Sequence, residues 1–384
     1  MRPTALKLTA GLLLFCGLSS TVKAQVEPIN VVTTAVPFLR ISPDSRSGGM
    51  GDLGVATSAD QYAGLWNIGK VAFNESRGGI GATYTPWLKN VVNDVYIASL
   101  AGYFKFDENQ AIHGSLRYFS LGDIQFTDNL GNIFANGKPK EFGIDVGYSR
   151  KLNAKHGVGI TLKYINSNLA GGQTVGSTTY KAGSAVAADL GWYYKGPKGW
   201  SWGAVLSNLG TKISYTDNSD AKDFIPANLG FGTNYSKKFN EKNQISFGLE
   251  LNKLLVPTPP AEGDVAGLAS YRSKSVISSW FSSFGDAPDG MSEELKELQI
   301  SVGAEYWYNN QFALRAGYFY ENKTKGDRRY FTAGLGLKYN LFGFNFAYLL
   351  PQGSGVSQNP LANTLRFSVL FDFGNGGEKT KADK

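Results

Sequence analysis

The feature that most constrains this chain is a strict alternation of apolar with small or polar residues, repeated in short segments from residue 78 to residue 373. Phe142, Ile144, Val146 and Tyr148 share one face of their segment, with Glu141, Gly143, Asp145 and Ser149 on the other. Val158, Ile160, Leu162 and Tyr164 repeat the pattern, as do Ile245, Phe247, Leu249 and Leu251. Near the end come Phe342, Phe344, Phe346 and Tyr348, then Leu365, Phe367, Val369, Phe371 and Phe373. Side chains of a strand point alternately to its two faces, so each segment reads as a strand with one apolar face. No apolar run after the first 25 residues is long enough for a membrane helix.

The pattern predicts fourteen strands, at 78–85, 95–106, 110–121, 141–151, 155–166, 184–195, 200–208, 227–239, 243–253, 298–308, 311–321, 330–340, 342–350 and 364–373. Most have the length a tilted strand needs to cross a bilayer. Connections alternate in kind. Asp107-Glu108-Asn109, Asn153-Ala154, Asn240-Glu241-Lys242 and Asn309-Asn310 are tight reversals, whereas the intervening loops are mostly longer and one spans 254–297. Short periplasmic turns facing long outer loops are the habit of outer-membrane barrels. A large soluble β-protein, the competing reading, gives no reason for that alternation.

Charge placement supports the same choice. Lys105, Arg117, Glu141, Asp145, Lys163, Asp189, Glu250, Glu305, Arg315, Lys338 and Arg366 all fall opposite the apolar stripe. A basic residue facing lipid at mid-depth costs about 2–4 kcal/mol, a penalty a polar lumen removes. The 47 Gly, 24 Phe and 20 Tyr, with only 18% charged residues, suit a wall that is small on one side and greasy on the other. Trp87, Tyr103, Tyr148, Tyr193, Trp200, Trp202, Tyr306, Trp307, Tyr320 and Tyr339 lie at strand ends, where some would form interfacial girdles. The expected fold is therefore all-β, a 14-stranded antiparallel transmembrane barrel in the outer membrane, closed by strand 14 on strand 1. Closure matters because an open edge in hydrocarbon leaves backbone groups unpaired.

Residues 1–24 read as a signal peptide: Arg2 and Lys7, an apolar stretch from Leu8 to Leu18, then small residues at the cleavage site after Ala24. Lipidation at Cys16 is the alternative, disfavoured by the bulky Phe15 before it. Cys16 is the only cysteine, so the mature chain is expected to hold neither disulfide nor thiolate metal site. Loss of Arg2, Lys7 and Lys23 takes the formal charge from +7 to +4, and the basic residues are scattered among acids, which argues against a nucleic-acid partner. Residues 25–77 are too long for a leader and too apolar in places to hang in water, so they are expected to plug the lumen. Residues 374–384 read as a polar periplasmic tail, and both termini are expected to be periplasmic.

Gly49-Met50-Gly51-Asp52-Leu53-Gly54 matches the dinucleotide fingerprint but is preceded by Ser42-Pro43-Asp44-Ser45 rather than a strand, so a turn-rich segment is expected there. With two histidines, no nucleophile elbow and no metal-spaced pair, no catalytic residue, metal site or cofactor is expected, and the chain is read as a non-enzyme. The best functional candidate is the 254–297 loop. Val276, Ile277, Trp280, Phe281 and Phe284 recur at helical spacing, and Asp289 or Ser292 could cap a second helix through Leu298. Such a loop either folds over its own barrel mouth or offers an apolar patch to a partner.

Val36-Pro37-Phe38-Leu39-Arg40-Ile41-Ser42-Pro43-Asp44, Phe284-Gly285-Asp286-Ala287-Pro288, Val302-Gly303-Ala304-Glu305-Tyr306-Trp307 and Asn359-Pro360-Leu361-Ala362-Asn363 resemble the corresponding stretches of the PorV family, outer-membrane proteins of the type IX secretion system of Bacteroidetes. That family is itself similar in fold to the FadL long-chain fatty-acid transporters. One departure is Trp66-Asn67-Ile68-Gly69, where the family tends to carry Asn-Pro-Ala after the aromatic. The resemblance implies a SprA-type translocon barrel, a PorU-type attachment protein and secreted cargo with a C-terminal signal domain as partners. It implies a shuttle that takes cargo from translocon to attachment complex at the cell surface. From loop position and apolar spacing, Trp280, Phe281 and Phe284 are the expected partner contacts, with Tyr271 and Arg272 nearby. The alternative is a FadL-like transporter of hydrophobic small molecules.

Overall fold

The computed structural model describes residues 30–374 apart from 89–93, 128–129, 176, 218–221, 261–262 and 353–363. The expected signal peptide and the tail beyond Gly374 lie outside the described residues. Fourteen long strands form a closed antiparallel barrel. They are β1 Gly78–Pro86, β2 Val95–Lys105, β3 Gln110–Leu121, β4 Lys140–Lys151, β5 His156–Asn168, β6 Gly183–Lys195, β7 Trp200–Gly210, β8 Asn228–Lys238, β9 Asn243–Leu254, β10 Gln299–Tyr308, β11 Phe312–Tyr320, β12 Arg329–Tyr339, β13 Phe342–Pro351 and β14 Thr364–Phe373. Each pairs with its sequence neighbour, and β14 closes on β1 in a register running from Gly78–Phe373 to Tyr84–Phe367. The period-2 pattern placed every wall strand to within two residues, because lipid on one side and polar groups on the other leave a strand only one acceptable register.

The two faces differ as the alternation requires. Ile144, Val146, Leu162, Phe247, Leu335 and Phe344 are exposed on the outer face, while Arg117, Glu141, Asp145, Lys163, Asp189, Glu250, Glu305, Arg315 and Arg366 are buried on the inner one. Among the strand-end aromatics, Tyr148, Trp200, Trp202 and Tyr339 point outward, but Tyr103 and Tyr193 are buried inside. One irregularity breaks the ladder. The β6–β7 register slips between Ala188 and Leu190, where Asn208 takes a left-handed φ of 56° and donates its N–H to Asp189 Oδ1 at 2.7 Å. Lys163 Nζ pairs with the same carboxylate at 2.7 Å, so the bulge is held by buried charge.

Residues 30–77 run through the lumen. Pro37–Arg40 forms one 3-10 turn, α1 is Ser45–Gly48, α2 is Ala63–Trp66, and Ile68–Phe73 forms a second 3-10 turn. At the loop end, Val36, Phe38 and Leu39 pack with Ile97, Phe119, Ile165, Ile213 and Ile225. Deeper down, Arg46 Nη2 meets Glu305 Oε1 at 2.8 Å, and Arg315 Nε meets Glu305 Oε2 at 2.7 Å. Glu250 Oε2 accepts the N–H groups of Gly54 and Val55, each at 2.8 Å. Asn67 donates to Val55 O and Trp192 O. Small wall residues allow this close approach: a Cβ on Gly317 would lie 2.1 Å from the Met50 carbonyl carbon. The Gly49–Gly54 stretch is a turn packed on β11 with no strand before it, as its context implied.

The direction of this segment bears on the expected position of the termini, which themselves lie outside the described residues. Asn30 N–H donates to Thr324 O in the β11–β12 loop at 3.0 Å, whereas Arg77 N–H donates to Gly374 O at the turn end at 2.8 Å. The even strand count does return Phe373 to the rim where Gly78 starts. The residues before β1 nevertheless begin at the opposite, long-loop rim, so the two ends of the described chain do not share a side.

Candidate functional site

The long loop leaves β9 at Leu254 and returns at Gln299 with three short helices. These are α3 Val265–Ser273, α4 Val276–Ser282 and α5 Met291–Lys296. Helix α3 went unrecognised in the sequence, although Asp264 is a good start signal and does accept the Gly267 N–H at 2.8 Å. Helix α4 lies where the spacing of Val276 to Phe281 placed it, capped by Ser275, which accepts the Ser278 N–H at 3.2 Å. Helix α5 departs from expectation. Its cap is Gly290 at φ 66°, without a side-chain bond, and neither Asp289 nor Ser292 fills that role. The Asp289 N–H is instead satisfied by Glu293 Oε2 at 2.9 Å.

Buried charge anchors the loop's second half. Lys253 Nζ, at the end of β9, contacts Glu294 Oε2 at 2.8 Å and Glu297 Oε2 at 2.6 Å. Lys325, from the β11–β12 loop, pairs with Glu293 and reaches Glu297 Oε1 at 3.1 Å. Glu294 also accepts the Ala287 N–H at 3.0 Å. Although burial opposes its charge, the Lys325 ammonium holds the Glu293 carboxyl below its usual value. Burial pushes the Asp286 carboxyl up, against hydrogen bonds from Thr258. Removing one partner from such a buried set costs about 3–5 kcal/mol, because the other charge is then stranded. The clustered carboxylates at 293, 294 and 297 were visible in the sequence. Their lysines, on other elements, were not.

The loop's root is also fixed. Tyr271 packs edge-on against Phe224 at 5.3 Å and joins Val32, Leu254 and Val256. Burial pushes its phenol up to about 12. Lys212 Nζ donates to Arg272 O at 2.7 Å and Lys274 O at 2.6 Å, and sits 4.1 Å from the Phe224 ring centre. Of the five candidate residues, Tyr271 and Arg272 thus hold the loop, and Trp280 is half-buried towards the wall. Phe281 and Phe284 remain 74% and 46% exposed, beside Ile277 at 65%. An apolar edge is therefore presented on a helix whose two ends are tied down, and it offers contact surface without reactive groups.

At the turn end the lumen holds a cavity of about 390 Å³, lined by Arg46, Asp60, Arg315, Lys338 and Asp372 among others, and a smaller one lies nearer the loop end. The smaller cavity, between the N-terminal segment and the wall, is about 120 Å³ and is lined by Arg40, Arg117, Lys163, Glu250 and Arg328 as well as Val205 and Phe319. Glu141 and Asp145 do not face each other as an acid–base pair; they accept from Ser167 at 2.6 Å and Ser115 at 3.0 Å respectively. Among the described residues no cluster of His, Cys, Asp or Glu could hold a metal ion.

Solved structures similar to this chain are outer-membrane barrels. The toluene transporter TbuX of Ralstonia pickettii is 12% identical over 86% of this chain and 98% of its own, with a TM-score of 0.52. The toluene transporter TodX of Pseudomonas putida is 12% identical over 89% and 98%, with a TM-score of 0.50. A FadL homologue of Pseudomonas aeruginosa is 10% identical over 90% and 99%, at a TM-score of 0.46. At these identities the likeness concerns the fold. No curated protein matches the chain significantly. The family model described as type IX secretion system protein PorV matches residues 23–261, which include the lumen segment and nine wall strands and stop before α3. The chain belongs to the PorV family of type IX secretion system proteins.

Proposed function

We propose that this protein is the cargo-binding shuttle of a type IX secretion system. In this reading it takes secreted proteins by their C-terminal signal domain at a SprA-type translocon barrel and passes them to a PorU-type attachment protein at the cell surface. Family membership makes it an outer-membrane secretion component rather than an enzyme. The observation that carries the finer reading is the exposed edge of α4, Ile277 with Phe281 and the following Phe284, held out by buried ion pairs at α5. Aromatic anchors on a rigid support are what interface centres are made of. Residues 25–77 act in this reading as a plug, so that cargo is handled at the rim and not through the lumen. Replacing Trp280 and Phe281 by Ser tests the assignment. Barrel assembly should be unchanged and co-purification of signal-domain cargo should fall; undiminished capture removes the loop from the binding model.

The likeness to toluene transporters favours a second reading, a FadL-like transporter of hydrophobic small molecules. The charged lining of the cavities inside weighs against it. Uptake of a hydrophobic probe by vesicles reconstituted with this protein would favour transport over shuttling.

A further inference from the structure

Helix α4 does not only project outward. Val276, Ile277 and Trp280 face the outer surface of the wall across an apolar groove of about 700 Å³, whose far side is built from Ile144, Leu162 and Val186. That volume is within the range of ordinary ligand sites, about 300–1,000 Å³. Depth places the groove in the hydrocarbon. On the outward face of β5, Asn168 and Asn166 are polar, Tyr164 follows, and Leu162 and Ile160 below it are apolar, so the hydrocarbon boundary lies near Tyr164 with Leu162 just inside it. The groove therefore opens to the membrane leaflet on the loop side.

Its upper end is basic. Thr211 lines the groove, and Lys212 follows directly, tying down the carbonyls of Arg272 and Lys274 just before α4 begins. Lys222 lies close to Lys212 and is exposed. Against these cations stand Asp223 and Asp286, 3.7 Å from Arg272 Nη2 and Lys274 Nζ respectively, too far for a hydrogen bond. The Arg272 Nε–H is buried with no hydrogen-bond partner. Four basic side chains against two carboxylates, with one donor unused, is a surplus of positive charge at headgroup depth.

We propose that this groove is a specific lipid site, which seats an acyl chain of a membrane lipid of net negative charge under α4 while its headgroup phosphate meets Lys212, Lys222, Arg272 and Lys274. Hydrocarbon surrounds the groove, so burial of a chain there gains nothing from water release; the gain is dispersion contact, because an empty slot leaves its lining without partner atoms. Dispersion alone would hold any passing lipid. The charge cluster is what selects, since each basic residue near the surface favours an anionic headgroup. This site does not rest on the cargo-shuttle reading, and its test contains no cargo.

Purified, delipidated protein would be titrated in detergent with phosphatidylglycerol and with phosphatidylcholine of the same chains, and read by native mass spectrometry. One phosphatidylglycerol should be retained per barrel, roughly tenfold or more tighter than phosphatidylcholine. Ala188→Phe, which fills the groove, should abolish retention of that lipid. Lys222→Gln with Lys274→Gln should remove the preference while leaving the wall untouched. A photoreactive acyl chain should label Val186 or Trp280 in the unaltered protein, which reports on the groove even where Ala188→Phe fails to assemble. Equal binding of the two lipids, retention undiminished in folded Ala188→Phe, or labelling spread around the whole barrel each overturns the proposal.

Discussion

At the scale of single residues, the lumen is held by polar groups that only make sense in pairs. Glu305 lies between Arg46 and Arg315 with all three side chains nearly buried. Arg315 also donates to Asn345 Oδ1 at 2.9 Å. Glu305→Ala would strand the buried Arg315 without its carboxylate and leave Arg46 only Asp60, at 2.9 Å, a loss of about 3–5 kcal/mol. The expected outcome is a clearly lower temperature for loss of the compact, heat-modifiable form on a gel, with Glu305→Gln intermediate. Ile68 illustrates how a departure from the family's pattern is absorbed. It stands at the first position of a 3-10 turn, where a proline would be tolerated, and its side chain fills the space beside Gly147, Gly159 and Gly191. The next residue has to be glycine, because a Cβ at Gly69 would lie 2.8 Å from Gly191 O.

At the scale of elements, the 254–297 loop is a rigid arm with an ionic foot. Lys325→Ala should free α5, raise protease cleavage between Thr258 and Leu298, and leave the barrel intact. Acid should act in the same direction through Glu293. Its carboxyl is lowered in the folded state, so the docking it supports is fully present above the ordinary value of 4.5 and is lost as pH falls through the lower folded value. Asp286, raised by burial, carries the opposite sign: protonation relieves it, so it should not contribute to acid release. Limited proteolysis across a pH series would show the loop loosening on acidification, and Glu293→Gln should flatten that dependence. The helical spacing of Val276 to Phe284 was legible because i, i+3 and i+4 positions mark one face. Whether that face is open or covered was not legible, because Trp280 turns to the wall while Phe281, its neighbour, turns away.

At the scale of the whole molecule, the lumen segment sets which ends lie where. Thr33 is exposed near the loop rim, and Glu241 is exposed in a short turn at the other rim. With Cys16 the only native cysteine, Thr33→Cys should be labelled by an impermeant maleimide on intact cells. Glu241→Cys should be labelled only once the outer membrane is breached. Labelling in the reverse order would turn the barrel over and move the exposed loop to the periplasmic side.

Period alone determined the wall: strand count, strand ends, the inward charges and the closing of β14 on β1 all follow from alternation between a lipid face and a polar one. That pattern is local, so it can be read one residue after another. The course of residues 30–77, the charge foot beneath α5 and the groove outside β4 to β7 were decided only in three dimensions. Each depends on groups brought together across the lumen or the rim, such as Asn30 with Thr324 and Lys253 with Glu294, and spacing along the chain carries no trace of such meetings.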